Sequence, residues 1–194
     1  MLFRSLDEVE EFLTGVRHTP RAEPVLATVL SASFQLPPGG EMPASRAWQR
    51  LRDHIDRELE WSRGRNCSPG TNRLLASFDG PARAIRGACA IAHHASRMGI
   101  SMRAGLHIGE CEITAGGIRG AAAEIARQIA ERAEEAEILV SATLRDLVAG
   151  SSIRFQDKGT LDSGAAADRS VRWEERRVGK ECYALCRSRW SPYH

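Results

Sequence analysis

The sequence predicts an α/β sandwich, a mixed sheet covered by helices, and three observations carry that prediction. Short apolar runs, several rich in β-branched residues, alternate with segments whose apolar residues recur every three or four positions. Glycine-marked turns separate some of the strands closely enough to pair them antiparallel. The chain has 194 residues, 42% hydrophobic and 27% charged, which fits one main domain built on one core.

In chain order, Val25–Ser31 is a mostly apolar run with the composition of a buried central strand. Ala44–Trp61 places Trp48, Leu51, Ile55 and Leu59 at helical spacing, and Asn72–Phe78 reads as the next strand. Pro81–Met98 is predicted as a helix started by Asp79, with proline in its first turn and Ala84, Ile85, Ala88, Ile91, Ala92 and Ala95 on one face. Ser101–Ile108 and Glu110–Thr114 are expected as two strands meeting near Gly109. Arg119–Glu135 is expected as a helix and Ile138–Val140 as a short strand. Ser141–Val148 follows as a helix capped by Ser141, with Gly150 just past its end, and Ile153–Phe155 as a last strand.

The two ends are read separately. Ser5 and Glu8 form a capping box ahead of an apolar stripe, Leu6, Val9, Phe12, Leu13 and Val16, so residues 1–24 are expected to be an amphipathic helix and linker. Its apolar face is expected to pack either on this domain or on one upstream; the segment is similar to the final helix of an α/β-hydrolase domain. Trp173–His194 shows neither helical nor strand periodicity. Glu174–Cys182 and Cys186–His194 resemble the reading frame of a common sequencing adapter, so residues 173–194 are expected to be a non-native tail. The whole formal net charge of +2 sits in that tail.

Composition excludes several function classes. No apolar run approaches the roughly 18 to 20 residues that span a bilayer, and the start of the chain lacks a signal peptide's apolar segment, so a cytoplasmic protein without a membrane partner is expected. Five cysteines without a Cys-x-x-Cys pair fit reduced, scattered thiols. The small net charge makes no electrostatic case for nucleic acid.

The segments Phe78-Asp79-Gly80-Pro81-Ala82-Arg83-Ala84 and Arg103-Ala104-Gly105-Leu106-His107-Ile108-Gly109-Glu110 resemble the catalytic domain of class III adenylate and guanylate cyclases. The resemblance covers about residues 25–160 and sets a cyclase homology domain at 25–172. It implies a ferredoxin-like βαββαβ core with extra strands and helices. It also implies phosphorus–oxygen lyase activity on ATP or GTP with magnesium or manganese, and pairing of two such domains head to tail.

Carried over residue by residue, the resemblance predicts a degenerate site. In the family two aspartates hold two divalent cations, because hard cations demand anionic oxygen ligands. Here Ser33 and Asn72 fall at those positions, with Arg73 beside the second. Each lost charge is worth roughly 4 kcal/mol per unit of metal charge at about 4 Å and an effective dielectric near 20. The base-reading lysine falls near Ser68, and the later base-reading position near Gly116. The asparagine and arginine that stabilise the transition state fall at Glu124 and Gln128, with Arg127 one residue, about 100°, off register.

The function expected from these substitutions is a catalytically inactive cyclase homology domain, serving as a dimerisation and regulatory module in a longer protein. It would form a homodimer or a heterodimer with another cyclase domain, and no cofactor is assigned to it. One alternative is an active adenylate cyclase, or a half-site contributor, converting ATP to cyclic AMP with magnesium or manganese. Another is a small-molecule or nucleotide sensor using the old cleft, with Arg73 and Arg127 receiving an anionic ligand. His93 and His94, adjacent on a helix, do not share a face for a metal, and His107 is expected to be structural. Gly116, Gly117 and Gly120 are read as turns rather than as a phosphate loop.

Overall fold

The strand Pro24–Gln35, β1, occupies the centre of the sheet, paired antiparallel with one neighbour on each side. The computed structural model describes residues 24–36, 44–67, 72–114, 117–161 and 173–178. The segment at 1–23, and Ser68 and Gly116, lie outside these described residues. β1 is twelve residues long, longer than the apolar run at its heart, because a partner strand continues alongside it to Gln35.

The remaining elements are α1 Ala44–Trp61, β2 Gly64–Asn66, β3 Arg73–Phe78, α2 Pro81–Arg97, β4 Ser101–Thr114 and β5 Gly117–Arg119. They are followed by α3 Ala121–Arg132, β6 Ile138–Val140, α4 Ala142–Leu147, β7 Phe155–Leu161 and β8 Trp173–Val178. Among the described residues the sheet has eight strands in the order β2-β3-β1-β4-β6-β8-β7, with β5 paired to the end of β4. The β4–β6 pair is parallel and the others are antiparallel, so the expected α/β sandwich with a mixed sheet holds.

Both faces of β1 are covered, which explains its nearly continuous apolar sequence. Leu30, Ala32 and Phe34 join the main core with Leu51, Ile55 and Leu59 of α1 and Ile85, Ala88 and Ile91 of α2. Ala27 and Val29 face the other way, onto Ala122 and Ala126 of α3. The four-residue spacing of Ala47, Leu51, Ile55 and Leu59 is what lets α1 bury one stripe.

Several expected boundaries are corrected. Ser101–Ile108 and Glu110–Thr114 are one continuous strand, because the ladder to β1 runs unbroken from Ser101 to Glu112. Gly109 makes no turn there; a Cβ at that position would come within 3.3 Å of Ala122 Cβ, so it serves the close approach of α3. The chain reverses instead between Thr114 and Gly117, which has a φ of +131°. Arg119 belongs to β5, and α3 begins only after Gly120, whose φ of +112° breaks the strand from the helix.

Asp79 does not cap α2: the N-cap is Gly80, and Asp79 is instead engaged with the Arg83 guanidinium at 2.7 Å. The last expected strand, Ile153–Phe155, shifts to Phe155–Leu161, with Ile153 packed into the core ahead of it. Trp173–Val178, read as lacking strand periodicity, forms β8 between β6 and β7. Backbone pairing, which carries no side-chain period, is the physical reason that pattern did not show it.

Candidate functional site

The two strands beside β1 bring charged residues alongside Ser33. Ser33 lies opposite Arg73 of β3 on one side and Arg103 of β4 on the other. Directly opposed residues project from the same face of a sheet, so these three form one row. The next row on that face is Leu75, Ser31 and Gly105. Gly105 identifies the face: a Cβ there would stand 2.4 Å from Ala126 O and Ala130 N, so α3 rests directly on it.

Asn72 enters the same place from the start of β3, its carbonyl accepting a hydrogen bond from Phe34 N at 2.9 Å. The result is a cleft of about 330 Å³ whose lining includes Ser33, Asn72, Arg73, Arg103, Arg127 and Glu131. A second chamber of about 540 Å³ shares Ser31, Arg73 and Arg127 with the first and adds Leu74, Leu75, Ile118 and Ala123 to its lining. Ser33 and Asn72, predicted from separate segments to be equivalent positions, are thus brought together.

The helix α3 presents Arg127 to both chambers, whereas Gln128 lines neither. Arg127 is held by two carboxylates on its own helix, Glu124 at 2.6 Å and Glu131. Gln128 donates to Glu124 at 3.1 Å. Hydrogen bonds from Arg127 and Gln128 hold the Glu124 carboxyl below its usual range, so it stays ionised at neutral pH. Glu124 borders the apolar chamber.

These donors do not fit a pair of divalent cations. Ser33 and Asn72 offer a neutral hydroxyl and a neutral amide rather than anionic oxygens, and two guanidinium groups occupy the same row as Ser33. Among the described residues no three of His, Cys, Asp and Glu are grouped to hold a metal ion.

Sequence reading did not single out Arg103 as a site residue, since only the β1–β4 register sets it beside Ser33. It also did not find that His94 stacks on His54 of α1, ring centroids 3.6 Å apart and planes 10° apart. Burial first, then the neighbouring His94 and Arg57 charges, push the His54 pKa down to about 4. His107 is structural, as expected: it is buried, with Nδ1 2.9 Å from Ser141 Oγ. Cys67, Cys89 and Cys111 are free thiols. Among the described residues no helix is long and apolar enough to cross a membrane.

No protein-family model matches the sequence, and no curated protein matches it. Solved structures do resemble the fold. An adenylate/guanylate cyclase/hydrolase from Silicibacter pomeroyi aligns with a TM-score of 0.68 at 22% identity, over 81% of this chain and 98% of that one. An adenylyl cyclase from P. aeruginosa aligns with a TM-score of 0.68 at 14% identity, over 82% and 96%. A guanylyl cyclase domain described as a non-canonical dimer, from the aquatic fungus Blastocladiella emersonii, aligns with a TM-score of 0.66 at 12% identity, over 81% and 98%. The chain carries the fold of adenylate and guanylate cyclase catalytic domains.

Proposed function

We propose that this chain is a nucleotide cyclase homology domain that has lost metal-dependent cyclisation and acts as a cytoplasmic dimerisation and regulatory module. The observation that carries the reading is the row Arg73, Ser33, Arg103. Where cyclisation needs carboxylates to hold cations against a triphosphate, the row offers a hydroxyl between two cations, which repels a metal ion rather than binding it. Residues 25–172 form the module in this reading, with 1–24 as an amphipathic helix and linker that packs on it or on an upstream domain, and 173–194 as a non-native tail. Head-to-tail pairing is the geometry of the family it resembles; the guanylyl cyclase domain that crystallised as a non-canonical dimer supports association of such domains, not that particular geometry.

A second reading is favoured by Arg127, which faces the cleft where Gln128 does not. Through Arg127 the chain would lend a half-site to a metal-loaded partner domain. The test is cyclic nucleotide production from ATP or GTP with magnesium or manganese, by the chain alone and mixed with an active cyclase domain made deficient in its own arginine. No product from the chain alone is expected. Product only in the mixture would support the half-site, and turnover by the chain alone would overturn the inactive reading.

A further inference from the structure

We propose that the cleft binds a phosphorylated small molecule directly through Arg73 and Arg103, with no divalent cation between protein and phosphate. This inference rests on the reading of the cleft as unable to hold metal, and it names the ligand class that replaces it.

Charge is the first argument. Arg73, Arg103 and Arg127 face the smaller chamber against the single carboxylate of Glu131, which leaves an excess of two positive charges. Arg127 is already held by Glu124 and Glu131. Among the described residues, the ion pairs engage Arg83, Arg127 and Arg145 but neither Arg73 nor Arg103. Two guanidinium groups in one cleft that are ion-paired to no described carboxylate are suited to an external anion.

Geometry is the second argument. Arg73 and Arg103 stand on the strands flanking Ser33, so their Cα atoms are about 10 Å apart, two strand spacings, and their long side chains rise from one face. A guanidinium fork matches phosphate oxygens in pairs, and two forks approaching from opposite sides clamp a pyrophosphate-sized group above the Ser33 hydroxyl. The adjoining chamber, with Leu74, Leu75, Ile118 and Ala123 in its lining, offers apolar surface to the uncharged body of the same molecule. A metal-dependent nucleotide site would lose affinity in a chelator. This one keeps it, and magnesium weakens binding by neutralising the phosphate that the arginines recognise.

The test uses the full chain in EDTA, titrated calorimetrically with inorganic pyrophosphate, then with ADP as a ligand that adds a body to the same head. Both are expected to bind, ADP at least tenfold more tightly, and 5 mM magnesium is expected to weaken both. Arg73→Gln and Arg103→Gln are each expected to weaken pyrophosphate at least tenfold. Arg73 is exposed, so Arg73→Gln remains informative should Arg103→Gln fail to fold.

No heat and no melting shift with either ligand in EDTA, or binding unchanged in both variants, would overturn the inference. Failure with and without magnesium would leave the inactive reading standing. Binding that appears only with magnesium would overturn the inference, and cyclic nucleotide formed when ATP is then supplied would overturn the inactive reading as well.

Discussion

His107 belongs to the strand motif by which the chain resembles cyclases, yet its surroundings show it working for the fold. It is 6% exposed, and burial pushes its pKa down to about 4. Its neutral ring places Nδ1 against the Ser141 hydroxyl, which also accepts the Leu144 N–H at 3.3 Å and so caps α4. His54, stacked on His94, has a pKa near 4 as well. Both groups take up a proton near 6.5 when unfolded but resist it in the native state until about pH 4. Between those values the unfolded chain binds more protons, so their contribution to stability is full above about pH 6.5 and falls as pH drops towards 4. At pH 5 the buried His107 would have cost about 2 kcal/mol, at about 1.4 kcal/mol per unit, and the partly exposed, solvent-screened His54 less. The melting temperature is therefore expected to fall between pH 7 and pH 5, and more shallowly in His107→Gln. A melting temperature flat over that interval would contradict both assignments. The sequence placed His107 on a strand, but its partner is 34 residues away and only the parallel β4–β6 pair brings Ser141 to it.

At the scale of elements, the docking of α3 depends on small residues. Gly105 admits the helix backbone, and a methyl group there would meet Ala126 O and Ala130 N at 2.4 Å and Ile129 Cβ at 2.8 Å. Gly105→Ala is expected to destabilise by about 3 kcal/mol, since backbone atoms on a packed helix do not move aside cheaply. That corresponds to a fall of about 6 to 12 °C in melting temperature for a chain of this size. An unchanged melting curve would mean that α3 sits further from the sheet. Strand β8 makes the opposite case. It meets β6 at two registered positions and β7 at five, so β7 hangs on the sheet through it, yet its sequence, Trp-Glu-Glu-Arg-Arg-Val, lacks the alternation that ties a strand to a core. Truncation before Trp173 is expected to cost about 1 kcal/mol or less, under about 4 °C. A larger loss would show that this strand belongs to the domain. Periodicity made α1 legible to the residue and located α2, because each buries one stripe. It failed at Gly109, where a glycine needed for helix contact looks the same as one needed for a turn.

For the whole molecule, the fold was readable well before the site. Apolar periods report burial, and burial determines layers, so the mixed α/β arrangement followed from the chain alone. The site depends on register. That Ser33 and Asn72 share a cleft follows from the β1–β3 pairing, and that Arg103 joins them follows from β1–β4. Choosing Arg127 over Gln128 requires the rotation of α3 about its axis, which 100° per residue makes sensitive to a one-residue slip. On the proposed reading a cation site has become an anion site. Manganese titration followed by electron paramagnetic resonance decides this, comparing the natural chain with Ser33→Asp/Asn72→Asp, where bound manganese loses its free-ion signal. The natural chain is expected to leave millimolar manganese free while the doubly substituted chain binds it at least tenfold more tightly. Equal, tight manganese binding by the natural chain would contradict the account.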